Sequence, residues 1–131
     1  MANLVKSGAV IFAKDIERVA RFYEGVIPME IMARKDGVIR LENDMVQLVI
    51  HSLPPDVARQ IEIATPPVQR MQAALKLVFS IDSLKRVRGV AGELGGGIKP
   101  ASAAFKWAGF RACDGHDPEG NVIQFREAAP E

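Results

Sequence analysis

One supersecondary unit is written twice in this chain, and the repetition restricts the possible folds more than any other feature. Val10-Ile11-Phe12 with Asp15-Ile16 aligns on Val78-Phe79-Ser80 with Ser83-Leu84, at an offset of 68 residues. Glu42-Asn43-Asp44-Met45-Val46-Gln47-Leu48 aligns on Glu119-Gly120-Asn121-Val122-Ile123-Gln124-Phe125, at an offset of 77. The second copy therefore carries about nine extra residues, placed in the loop Lys99 to Gly109. A unit repeated in this way implies two copies packed edge to edge about a pseudo-twofold axis.

Each copy reads β-α-β-β-β. In the first, Gly8 to Ala13 is an apolar strand, and Asp15 caps a helix whose stripe is Ile16, Val19, Ala20 and Tyr23. Gly25 and Pro28 stop it. Strands over Met29 to Ala33, Gly37 to Leu41 and Met45 to His51 follow, with Asp36-Gly37 and Asn43-Asp44 as turn signals. In the second copy, Lys76 to Ile81 is a strand and Ser83 opens a helix with a Leu84, Val87, Ala91, Leu94 stripe. Gly95-Gly96-Gly97 ends that helix, and Gly89 and Gly92 weaken it, by about 1 kcal/mol each against alanine. Short strands around Ile98, over Phe110 to Asp114 and over Val122 to Glu127 complete the unit. Between the copies, Pro54-Pro55 and Pro66-Pro67 mark a connector in which Ile61-Glu62-Ile63 is a candidate edge strand. The expectation is one domain over 1–131, with module one at about 5–52, connector at about 53–72 and module two at about 73–128.

Composition enters mainly by exclusion. Apolar residues at 48% and charged residues at 25% describe an ordered globular chain. A net charge of +1 without a Lys/Arg stripe argues against nucleic acid as a partner. No apolar run approaches membrane-span length, and the early run ending at Lys14-Asp15 is too short for an export signal. The single cysteine, Cys113, closes no intrachain disulfide and reads as a small buried strand residue. A cytoplasmic, membrane-free setting is the default expectation.

The arrangement resembles the vicinal oxygen chelate superfamily, which includes glyoxalase I, the bleomycin-resistance proteins and the extradiol dioxygenases. The residues that carry the likeness are Asp15-Ile16 with Arg21-Phe22-Tyr23, Ser83-Leu84, Leu94-Gly95-Gly96, and Asp117-Pro118-Glu119-Gly120-Asn121 leading into Val122-Ile123-Gln124. The resemblance implies an α+β fold of two tandem βαβββ modules, open sheets curling around a cleft and helices outside. It also implies a homodimer. Metal-using members hold a divalent ion with four side chains from the first and fourth strands of each module. Carried onto this sequence, those positions are Gly8, Gln47, Lys76 and Gln124. Glycine has no donor atom, lysine brings a positive charge, and the glutamines bring only neutral carbonyls. No metal is expected there and no other cofactor is indicated.

Period-two alternation assigns the faces. Gln47, Val49 and His51 share one face of their strand, while Leu77, Phe79 and Ile81 turn toward the helix. The expected cleft lining is Gly8, Val10, Phe12, Gln47, Val49, His51, Lys76, Ser80, Gln124 and Arg126, with Gln47 and Gln124 at equivalent places. A largely apolar concavity with a few fixed polar groups fits a small organic ligand, and Lys76 and Arg126 would favour an acidic or phenolate-like one. Trp107, in the enlarged loop, is either a core plug or an aromatic wall for that ligand. His116 is expected in an exposed turn and His51 at the rim. Lys76 otherwise fits only a water-exposed strand edge. The first functional reading is a metal-free binding protein of the bleomycin-resistance type. The alternative is a lyase, isomerase or dioxygenase-like enzyme, using a relocated metal on His51, His116 or Glu42, or acid–base work by His51 and Lys76. A third is a dimer that retains no ligand.

Overall fold

The computed structural model describes residues 4–130. The first half builds a four-stranded sheet from β1 (Gly8–Ala13), β2 (Glu30–Lys35), β3 (Val38–Glu42) and β4 (Gln47–Ser52), with helix α1 (Ile16–Val26) between β1 and β2. Its strand order is β1-β4-β3-β2, with β1 parallel to β4 and the other pairs antiparallel. The second half repeats it with β5 (Leu77–Ser80), α3 (Leu84–Val90), β6 (Gly97–Ile98), β8 (Phe110–His116) and β9 (Val122–Ala128), in the order β5-β9-β8-β6. The extra residues of the second copy form β7 (Phe105–Trp107), which pairs with β8 through a turn at Ala108 and Gly109. The α+β tandem fold expected from the repeat is therefore present, with both sheets open.

The connector departs from expectation. Ile61-Glu62-Ile63 forms no strand, and Lys14 Nζ donates to the Ile61 carbonyl instead. A short helix α2 (Pro55–Ala58) starts at Pro55, where the missing N–H costs nothing.

Asp15 caps α1 as expected, its carboxylate accepting from Arg18 N at 3.1 Å, and Ser83 caps α3 in the same way through Arg86 N. The buried side of α1 is wider than one stripe, since Phe22 and Val26 join Val19, Ala20 and Tyr23 at zero exposure. Phe22 points at the second module, where a Cβ added to Gly96 would lie 2.3 Å from its ring. Tyr23 packs on Phe79 of β5 with ring centroids 5.7 Å apart. One helix thus serves two sheets, joined in a core with Leu41, Leu48, Ile50, Ile123 and Phe125.

The turn before β9 closes the same joint. Glu119, only 4% exposed, accepts from the backbone N–H of Lys14 at 2.8 Å and of Asp15 at 2.7 Å. Asp117 accepts from Glu119 N, Asn121 N and the Asn121 side chain, and from Tyr23 OH at 2.8 Å. Burial and this carboxylate push the Tyr23 phenol well above its usual range. The turn is therefore a cross-module clamp as well as a chain reversal.

The strand register corrects one expectation. Gly8 lies opposite Gln47, whereas Gln124 lies opposite Val78 rather than Lys76. With the caps Asp15 and Ser83 superposed, Lys76 answers to Gly8, and stepping back from the Leu77–Ile123 pair makes Val122 the counterpart of Gln47. The two glutamines are two residues out of step. A period-two pattern looks the same after such a slip, and both side chains keep the same face.

Candidate functional site

The faces of the two sheets turned away from the helices carry the candidate residues. On the first sheet the cross-strand rows are Phe12–His51–Val38, Val10–Val49–Arg40 and Gly8–Gln47–Glu42. On the second they are Val78–Gln124–Asp114 and Ser80–Arg126–Ala112–Phe105, with Trp107–Phe110–Ala128 at the far end. Large apolar side chains stand open here: Val10 at 56%, Phe12 at 54%, Val78 at 45% and Trp107 at 66%. Trp107 is therefore not a core plug. It stands edge-on to Phe110, and the Arg126 guanidinium lies 4.2 Å above the Phe110 ring.

The polar groups of the second sheet form a chain. Lys76 Nζ donates to Asp114 Oδ2 at 2.7 Å, and the Gln124 amide donates to Asp114 Oδ1 at 3.2 Å. Gln124 Oε1 in turn accepts from Arg126 Nε at 2.7 Å. Partial burial raises the affinity of Asp114 for a proton, but its bonds to Lys76 and Gln124 outweigh this and hold it below the usual carboxylate range. An exposed position and an ion pair account for Lys76 in an otherwise apolar strand. On the first sheet the Gln47 amide donates to Glu42 Oε1 at 2.7 Å, which lowers the Glu42 pKa despite desolvation, with Lys6 and Arg40 adding to the effect.

These contacts test the metal position. An added Cβ at Gly8 would lie 1.6 Å from the Gln47 carbonyl oxygen, so no side-chain donor fits there without moving the strand. Lys76 presents an ammonium, and the Gln124 carbonyl is already engaged by Arg126. Of the four positions, Gly8, Lys76 and Gln124 thus offer no free donor to a divalent ion. The alternative donors are also apart. Glu42 pairs across from Gln47, and His51 is four residues further along β4, a span of about 13 Å. Among the described residues no group of three His, Cys, Asp or Glu side chains gathers in a metal-holding arrangement.

His51 is exposed, stacks obliquely on Phe12 at 5.4 Å and bonds the Ser52 carbonyl through Nδ1. Its candidate catalytic partner Lys76 lies just before β5, at the edge of the other sheet. His116 is not in an exposed turn: it ends β8, half-buried, and its Nδ1 meets the Gln69 amide at 3.3 Å. Desolvation pushes its pKa down, with Asp117 pulling the other way. Cys113 is buried, its thiol donating to the Lys99 carbonyl. Sequence reading missed Asp114, the acceptor that organises Lys76 and Gln124. Its alternation with Ala112 and His116 along β8 was the available signal.

A scan of protein-family models gives no match, and a search of curated proteins gives no relative. Solved structures do match across nearly the whole chain. A glyoxalase/bleomycin resistance protein/dioxygenase family enzyme from Burkholderia phytofirmans PsJN is 19% identical, with a TM-score of 0.65 and coverage of 93% of this chain and 97% of that one. A glyoxalase/bleomycin resistance protein from Albidiferax ferrireducens T118 is 16% identical, with a TM-score of 0.63 and coverage of 92% and 96%. A mutant of the fosfomycin resistance protein FosX from Listeria monocytogenes, in complex with Mn(II) and a dihydroxypropylphosphonic acid, is 12% identical. Its TM-score is 0.63, with coverage of 100% of this chain and 93% of that one. The fold is that of the glyoxalase/bleomycin-resistance/dioxygenase proteins, and no helix among the described residues is long and apolar enough to cross a membrane.

Proposed function

We propose that this chain, built on the vicinal oxygen chelate fold, is a cytoplasmic homodimeric protein that binds a small organic molecule without a metal at the superfamily's usual position. The supporting observation is the pair of open sheet faces, where exposed Val10, Phe12, Val78 and Trp107 accompany polar groups already fixed by hydrogen bonds. Such a surface orients a ligand through few directional contacts and gains most of its free energy from apolar contact. A second copy of the chain laid across these faces would turn them into a closed cleft.

Elemental analysis together with thermal shift over a small-molecule panel tests the reading. The expected outcome is a substoichiometric metal content and a ligand-dependent rise in midpoint, since binding to the native state alone must stabilise it. Stoichiometric zinc, nickel, iron or manganese would favour a metal-dependent lyase, isomerase or dioxygenase instead. A panel with no stabilising member would leave a fold that retains no ligand.

A further inference from the structure

Where the connector reaches β5, a cavity of about 320 Å³ opens among Met71, Leu75, Val122, Lys76, Lys99 and Asp114, with Arg70 also on its wall. Two independent features distinguish it. The first is a charge imbalance, because Asp114 is the only carboxylate on a wall that carries three cations. Both of its oxygens are already taken, one by Lys76 and the other by the Gln124 amide. Arg70 donates through Nε to a backbone carbonyl, that of Glu119. Lys99 makes no salt bridge among the described residues. The second feature is apolar: Met71 and Leu75 are each 80% exposed at the edge of this charged hollow. Water satisfies ammonium groups but gains nothing from two long apolar side chains held beside them.

We propose that this cavity binds a small organic acid, its carboxylate between Lys76 and Lys99 and its apolar body against Met71, Leu75 and Val122. An inorganic anion would answer the charge and leave the apolar wall bare. A neutral hydrocarbon would do the reverse. The site is separate from the aromatic end of the open face: Val122 and Ala128, which mark the two ends, are six residues apart on β9, about 20 Å. The two ends are linked through the Lys76–Asp114–Gln124–Arg126 chain, so the Trp107→Ala variant is what separates an acid held here from a ligand at Trp107.

Isothermal titration calorimetry of the full chain with hexanoate, benzoate, hexanamide and inorganic phosphate tests it, alongside Lys99→Met and Trp107→Ala variants of unchanged thermal midpoint. Hexanoate or benzoate is expected to bind, with the amide and phosphate at least about tenfold weaker, the worth of one charge-assisted hydrogen bond. Lys99→Met is expected to lose a similar factor for the acids. Equal binding of the amide, no binding of either acid, or an unchanged Lys99→Met would each overturn the proposal. Acid binding lost in Trp107→Ala but kept in Lys99→Met would place the acid on the open aromatic face and also overturn it.

Discussion

Glu119 shows how much one side chain can hold when it is buried and fully used. Its carboxylate satisfies two backbone donors at the start of α1, more than a hundred residues away in sequence. Hydrogen bonds to a charged group are worth about 1.5–3 kcal/mol. Glu119→Ala is expected to lower stability in urea titration by about 3 kcal/mol, and Glu119→Gln, which keeps one acceptor, by less. His116 gives a pH signature. Burial holds its pKa below the ordinary 6.5, so below that pH the unfolded chain takes up a proton that the folded chain resists. Its contribution is therefore complete above about pH 6.5 and is lost on acidification. His116→Gln is expected to flatten the fall in stability below about pH 6.5. Composition alone marks residues 117–121 as a turn. That Asp117 and Glu119 face inward is hidden in the sequence, because their partners Tyr23, Lys14 and Asp15 lie in the other module.

At the scale of elements, α1 is legible in start, end and one face, but not in its second face. Periodicity finds the stripe against the helix's own sheet, whereas Phe22 is buried by Gly96 and the end of β8, which no local pattern announces. The β7–β8 hairpin is legible only as surplus length. Its turn places Ala108 at φ 47° and Gly109 at φ 84°, both in the left-handed region. Alanine pays for that conformation where asparagine does not, so Ala108→Asn is expected to stabilise by about 0.5–1 kcal/mol, read as a rise in Tm. Gly8→Ala should act in the opposite direction. Its Cβ would meet the Gln47 carbonyl oxygen, and a loss of about 3 kcal/mol, the upper range for overpacking, is expected from denaturant midpoints.

For the whole molecule, the duplicated unit carries most of the legible information: the sequence of elements, helix placement and the face bearing the candidate residues all follow from it. Register does not, because alternation tolerates a slip of two and the turns of the two copies differ in length. The open face also sets an expectation for assembly. Val10 and Phe12 stand exposed on the first sheet, and a charge there would oppose any partner laid across it. Phe12→Glu is expected to shift a dimer to monomer in sedimentation velocity while leaving the far-ultraviolet circular dichroism unchanged. The clamp at Glu119 has a consequence of timing. During synthesis Lys14 and Asp15 are made about a hundred residues before Glu119, so these two backbone donors face water until it arrives. The nascent half is then a provisional structure, completed only when the last strand arrives to close it.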